Sequence, residues 1–181
     1  MVRTEIRIVG SGGQGVITMG ELLARAATIY EGEIATQVTS YGAKVRGGDL
    51  WTEVVISDEE IDYPGAIDAD IYVFTSQEAV DKQGGAIKKN KIVIVDSTLV
   101  RSWPFEDVKI YPVPASELAE KELGSNLYSN MILLGFLVAI TGIIKKETIL
   151  KAVRETVKHP NINTRALEIG FTLADREQHK K

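Results

Sequence analysis

The residues best suited to chemistry lie near the start of the chain. There Gly10-Ser11-Gly12-Gly13-Gln14-Gly15 follows an apolar run, Ile6 to Val9, and precedes a stretch with helical periodicity. The spacing is G-x-G-x-x-G between a strand and a helix, the setting this pattern requires. Glycines at such a turn adopt dihedrals closed to other residues and let backbone N–H groups approach an anion. The exposed N–H groups and dipole of the following helix then favour a phosphate or carboxylate. A dinucleotide site needs more, namely an acid at the end of the second strand to hold the ribose hydroxyls. Here that strand ends Gln37-Val38-Thr39, and Glu31 and Glu33 precede it. No Gly-Lys-Ser/Thr closes the loop, so it is not a P-loop.

A second glycine-rich segment, Ser40-Tyr41-Gly42-Ala43-Lys44-Val45-Arg46-Gly47-Gly48-Asp49, holds the other ligand-suited residues. Arg46 beside two glycines presents its guanidinium with little steric cover, and a hydrogen bond from it to a charged group contributes about 1.5–3 kcal/mol. Tyr41 offers a ring for stacking and a hydroxyl to donate. An ordinary turn with an exposed arginine has the same composition. Asp96-Ser97-Thr98, at a third strand end, reads mainly as a turn. Asn130 on an apolar helix reads as a buried amide with its hydrogen bonds satisfied. Trp51 and Trp103 read as core or interface anchors. No residue is assigned a catalytic role and no metal site is assigned.

Composition excludes several chemistries. None of the 181 residues is cysteine, which removes disulfides, thiolate nucleophiles, Cys-ligated zinc and Fe–S ligation from this chain. The two histidines, His159 and His179, lie in polar stretches near the C-terminus, so neither a His-based metal site nor a catalytic triad is expected. A net charge of −4 with short basic pairs, Lys88-Lys89 and Lys145-Lys146, is no nucleic-acid footprint. The chain opens almost directly on a strand, and no signal peptide is expected. The apolar run Leu127 to Ile144 approaches spanning length, but Ser129, Asn130, Gly135, Thr141 and Gly142 interrupt it. It reads as a buried core helix, and the chain as a cytoplasmic protein without membrane contact.

The elements that must position these loops follow from periodicity. Strands are predicted at Ile6–Val9, Ile34–Thr39, Leu50–Ser57, Ile71–Thr75, Lys91–Val95 and Val108–Val113. A helix from Gly15 to Tyr30 buries Val16, Met19, Leu23, Ala26 and Ala27 on one face and ends at Gly32. A short helix covers Gln77 to Lys82. The remainder is helical: Glu117 to Leu123 capped by Ser116, Leu127 to Ile144, a helix presenting Ile149, Leu150, Val153 and Val157, and a last one capped by Asn163. Strands alternating with helices predict an α/β fold, a single domain over residues 1–181. It has three layers with a mainly parallel sheet covered by helices, a Rossmann-like first unit and a helical C-terminal part. Ligands of such sheets bind at the C-terminal strand ends, which is where Gly10–Gly15, Ser40–Gly48 and Asp96–Thr98 fall.

The two loops together, with the Asn130-Met131…Leu134-Gly135 and Asn163…Ala166…Gly170 helices, resemble the gamma subunit, or gamma domain, of the 2-oxoacid:ferredoxin oxidoreductases. The resemblance covers nearly the whole chain in the same order. It implies one subunit of an enzyme that oxidatively decarboxylates a 2-oxoacid with coenzyme A, giving an acyl-CoA, carbon dioxide and reduced ferredoxin. Thiamine diphosphate, magnesium and Fe–S clusters are implied for the alpha, beta and ferredoxin-like delta partners. This chain would contact coenzyme A and be inactive alone. Carried over by motif, Gly12, Gly13, Gln14 and Gly15 would supply a backbone anion nest. Ser40, Tyr41, Gly42, Arg46, Gly47 and Gly48 would form the neighbouring wall, with Arg46 the leading contact to phosphate or carboxylate. Relatives often carry Pro and Glu where this chain has Ala43 and Lys44, a departure that adds positive charge. The Tyr-Gly…Arg-Gly-Gly form is most similar to the 2-oxoglutarate type; pyruvate, 2-oxoisovalerate and indolepyruvate types are the alternatives. Two readings of other classes stand beside it: a free-standing nucleotide-dependent dehydrogenase, which needs the missing ribose acid, and a non-enzymatic nucleotide-sensing or scaffold module.

Overall fold

The computed structural model describes residues 3–41 and 50–180. Gly42, Arg46, Gly47 and Gly48 of the predicted wall lie outside the described residues.

The first strand, β1 (Thr4–Gly10), places Ile6 and Ile8 fully buried on one face and Glu5 and Arg7 on the other. The loop leads into α1 (Val16–Arg25), which continues as a π-helical turn over Ala26–Glu31 and stops at Gly32, left-handed at φ 74°. Then follow β2 (Ile34–Tyr41), β3 (Leu50–Ser57), β4 (Ile71–Phe74), α2 (Gln77–Gln83), β5 (Ile92–Asp96) and β6 (Lys109–Val113). The C-terminal part is α3 (Ala115–Leu123), α4 (Ser129–Thr141), α5 (Lys146–Thr156) and α6 (Pro160–Gln178).

The six strands form one sheet in the order β2-β3-β1-β4-β5-β6. Strands β1, β4, β5 and β6 are mutually parallel, while β3 is antiparallel to both of its neighbours, β1 and β2. A Rossmann unit sets the strands on either side of its helix side by side; here β3 lies between β1 and β2. At the other margin of the sheet, Pro112 removes a donor from the edge strand β6, which discourages pairing with another chain.

The two faces are covered unequally. One face packs Ile6, Ile8, Val54, Ile56, Val73 and Ile94 against α1, α3, α4, α5 and α6 in the main core. The other packs Val9, Phe74, Val93 and Val95 under α2 and the segment carrying Val100, Trp103 and Phe105. Around the first strands of that second face, charged side chains hold a long loop. Glu5 accepts from the N–H groups of Ile67 and Asp68, Glu53 accepts from that of Ala66, and Arg3 donates to the carbonyls of Tyr63 and Gly65. Burial alone would push the Glu5 carboxyl up. The hydrogen bonds from Asp68, Arg3 and Ile67 outweigh it and hold Glu5 below the usual carboxylate range.

Helix α4 is buried continuously from Asn130 to Val138. The expected single helix Leu127–Ile144 is divided: a 3-10 turn covers Asn126–Tyr128, and left-handed Gly142 (φ 69°) ends α4. Among the described residues, no helix is long and apolar enough to cross a membrane. α4 and α6 approach to backbone contact through glycines. A Cβ on Gly135 would stand 2.3 Å from the Leu167 carbonyl oxygen, and one on Gly170 would stand 2.2 Å from that of Ile132.

Both predicted side-chain caps are displaced. α3 begins at Ala115, so Ser116 lies inside it, with its N–H and hydroxyl held by the carboxylate of Asp96. α6 begins at Pro160 after left-handed His159. Asn163 is therefore one turn in, and its amide donates back to the carbonyls of Lys158 and His159. In each case an upstream group fixes the start before the expected cap is reached: a carboxylate from β5 for α3, a proline for α6.

Candidate functional site

Strand register brings the end of β1, where the glycine loop begins, onto one edge with the end of β2. Gly10, the last residue of β1, is opposite Leu50 in β3, and Leu50 is opposite Tyr41, the last residue of β2. Gly10, Leu50 and Tyr41 thus form one row, with Gly10 and Tyr41 about 10 Å apart, two strand spacings. Ser40 is half-buried one step earlier, opposite Trp51. Trp51 itself lies under the Arg7 guanidinium, 4.8 Å from the ring centre, and Arg7 pairs with Glu53 at 3.0 Å.

The first loop is held by Gln14. Its Oε1 accepts from the Ser11 N–H (2.7 Å) and from the Thr75 hydroxyl (2.6 Å), and its Nε2 donates to the Thr75 carbonyl (3.1 Å). This clasp fastens the loop to the end of β4 and explains Gly10, where a Cβ would fall 1.9 Å from the Thr75 hydroxyl oxygen. Gln14 therefore acts through its side chain, and its backbone N–H is turned onto the Ser11 carbonyl at 3.3 Å. Gly13 and Gly15 have positive φ, 87° and 68°, and Gly15 is the N-cap of α1 with no side chain capping it. Among the described residues, the N–H groups of Gly12, Gly13 and Gly15 have no partner. Unpaired donors at a helix N-terminus are what an anion needs.

The other helices that start at this rim carry their own caps. Ser76 accepts from Ala79 in α2, Asp96 and Thr98 accept from Ser116 and Glu117 in α3, and Ser125 and Glu120 accept from the 3-10 turn leading into α4. Asp96 and Thr98, read as a turn, are the cap of α3; Asp96 is 1% exposed and spent on that task.

A pocket of about 210 Å³ opens over the loop, lined by Gly12, Gly13, Gln14, Thr75 and Ser116 with Leu99 and Leu127 at its margin. Leu127 is 71% exposed and Leu99 42%, an apolar rim beside a polar cradle. Sequence reasoning missed this rim, because its members are single leucines on separate elements with no shared spacing. The histidines are elsewhere, at the two ends of α6.

The pyruvate ferredoxin/flavodoxin oxidoreductase family model matches residues 5–173. The chain belongs to this family. Within it the match is to the gamma type. The chain is similar to a crystal structure of the keto/oxoacid ferredoxin oxidoreductase gamma subunit from Geobacter sulfurreducens, at 35% identity and TM-score 0.85, covering 96% of this chain and 99% of that one. It is 43% identical over 158 residues to the 2-oxoglutarate synthase subunit KorC of Methanocaldococcus jannaschii, 86% of this chain and 84% of that one. The 2-oxoglutarate:ferredoxin oxidoreductase of Magnetococcus marinus, solved with 2-oxoglutarate, coenzyme A and succinyl-CoA bound, matches at 26% identity and TM-score 0.86. There 97% of this gamma-type chain aligns with 32% of that longer one. The gamma chain is one subunit of a multi-subunit enzyme, and with no cysteine it holds no thiolate for an Fe–S cluster.

Proposed function

We propose that this gamma chain serves a 2-oxoglutarate:ferredoxin oxidoreductase, and that its glycine-loop edge receives coenzyme A. The observation that supports the second part is the shared row of Gly10, Leu50 and Tyr41, which puts the last residue of β2 on the same edge as the glycine loop, where a pocket opens over unpaired N–H donors. The substrate rests on relatives. Chains named as 2-oxoglutarate synthase subunits are 43% and 41% identical over 86% of this chain, whereas the pyruvate synthase subunit PorC of Methanothermobacter marburgensis is 29% identical.

In this reading the chain supplies binding and orientation. The N–H groups of Gly12, Gly13 and Gly15 take a phosphate group of coenzyme A, where the dipole of α1 favours negative charge. The Gln14–Thr75 clasp keeps those donors fixed. Leu99 and Leu127 cover the apolar part of the ligand or pack on a partner subunit. Arg46 adds a charged contact from the second loop. Decarboxylation belongs to thiamine diphosphate and magnesium in the alpha and beta partners, and the released electrons pass through Fe–S clusters in cysteine-bearing partners to ferredoxin.

The test is an anaerobic tagged purification from the native cell, followed by dye reduction with coenzyme A and a panel of 2-oxoacids. Co-purification of thiamine-diphosphate and Fe–S subunits, with 2-oxoglutarate preferred, is the expected result. Preference for pyruvate or a branched 2-oxoacid would replace the substrate assignment. A chain that purifies alone and inert would leave the sensing or scaffold module as the better account.

A further inference from the structure

The outer face of α6 carries charge that the chain itself leaves unpaired. A cavity of about 420 Å³ runs between α3 and α6. Leu118, Ile169 and Leu173 form its apolar part, and Glu122, Arg165, Glu168 and Arg176 its charged lining. None of these four charged side chains has an ion pair or a side-chain hydrogen bond among the described residues. Neighbouring charges do pair: Lys146 with Asp175 at 2.7 Å and Lys180 with Glu177 at 2.8 Å.

The unpaired charges are sorted along the groove. Leu173 and Arg176 also line a second cavity, beside Tyr111 and Pro112 of β6, and so mark the end of the groove toward that edge of the sheet. Glu122, Arg165 and Glu168 line only the first cavity and mark the other end. Two acids and one base leave that end negative, and Arg176 makes the opposite end positive. Glu168 and Arg176 are about 12 Å apart along α6, with exposed Thr172 midway between them on the same groove. The Thr172 hydroxyl already donates to the Glu168 carbonyl at 2.9 Å, so it brings no unmet donor to a contact.

A groove that is negative at one end and positive at the other is complementary to its own reversed copy. A two-fold axis through Thr172 lays α6 antiparallel on the α6 of a second chain. Arg176 of each copy then meets Glu168 and Glu122 of the other, and Ile169 and Leu173 of the two copies cover one another. This reciprocal pattern is the isologous contact that closed dimers use. We infer that the α3–α6 groove docks a second copy of this chain, with two Glu168–Arg176 pairs fixing the register. The groove shares no lining residue with the pocket over the glycine loop, so the inference is independent of the coenzyme A reading.

The test is sedimentation equilibrium of the full chain over a concentration series, at low and high salt. A dimer that weakens as salt rises is expected. Glu168→Arg and Arg176→Glu each place like charges together twice, and each should raise the dimer Kd about tenfold or more. Both side chains are exposed, so the core is untouched, and thermal melting checks that the fold is kept. An equal mixture of the two variants should recover the parent Kd, because every arginine then faces a glutamate. A parent chain that stays monomeric overturns the inference. So does a dimer that neither reversal weakens, or a pair of weakened variants that mixing does not rescue. A monomeric chain that Arg176→Glu releases from the assembled complex would also overturn it, and would assign the groove to a partner subunit.

Discussion

Gln14 and Thr75 are joined at both ends of the glutamine amide: the Thr75 hydroxyl donates to Oε1 at 2.6 Å, and Nε2 donates to the Thr75 carbonyl at 3.1 Å. With the Ser11 N–H on the same Oε1, one side chain sets the glycine loop against the end of β4. Gln14→Ala should cost about 1–3 kcal/mol, because it strips partners from part-buried donors. Thermal denaturation reads this as a lower midpoint, and hydrogen exchange at Ser11 should accelerate. An unchanged Ser11 exchange rate would show that the loop is held by other means.

The row of Gly10, Leu50 and Tyr41 was half legible in the sequence. The strand–loop–helix at Ile6 to Tyr30 and the strong strand at Leu50–Ser57 were plain from apolar spacing, and the Gly10–Gly15 loop fell at the strand end where it was expected. The insertion of β3 between β1 and β2 was not legible, since pairing between distant strands leaves no local periodicity. The caps failed for a related reason. Ser116 and Asn163 have cap-forming side chains, but Asp96 from another element and Pro160 decide where the helices begin. What Gln14 does was hidden inside a glycine pattern that a reader takes as backbone.

The α4–α6 contact predicts a stability effect far from the site. Gly170→Ala would press a methyl group against the Ile132 carbonyl and the Phe136 N–H. Backbone cannot step aside as a flexible side chain can, so the cost should reach or exceed the upper end of about 1–3 kcal/mol for overpacking. Denaturant unfolding of the purified variant measures it. A neutral result would mean that the two helices are not packed backbone to backbone.

Glu5 predicts a pH dependence of known sign. Its pKa in the folded chain lies below the ordinary value, so its stabilising contribution is present above the unfolded carboxylate pKa of about 4.3 and is lost as pH falls through the folded value. The thermal midpoint of the parent chain should fall as pH is lowered below about 4.3. In Glu5→Gln the midpoint should be lower at neutral pH and the acid-side slope shallower. An identical slope would remove Glu5 from the acid-sensitive groups.

The central claim is that the glycine-loop edge receives coenzyme A, and Gly12 tests it most directly. A Cβ there meets nothing within 4 Å, and Gly12 is not among the positive-φ glycines. Gly12→Asp should therefore leave folding and subunit assembly intact while placing a carboxylate where the phosphate would sit. The measurement is the KM for coenzyme A and for 2-oxoglutarate in the assembled complex, parent against variant. The account predicts a rise of about tenfold or more for coenzyme A, equivalent to about 1.4 kcal/mol of lost binding, with the 2-oxoacid KM unchanged. Equal coenzyme A dependence in parent and variant would contradict it.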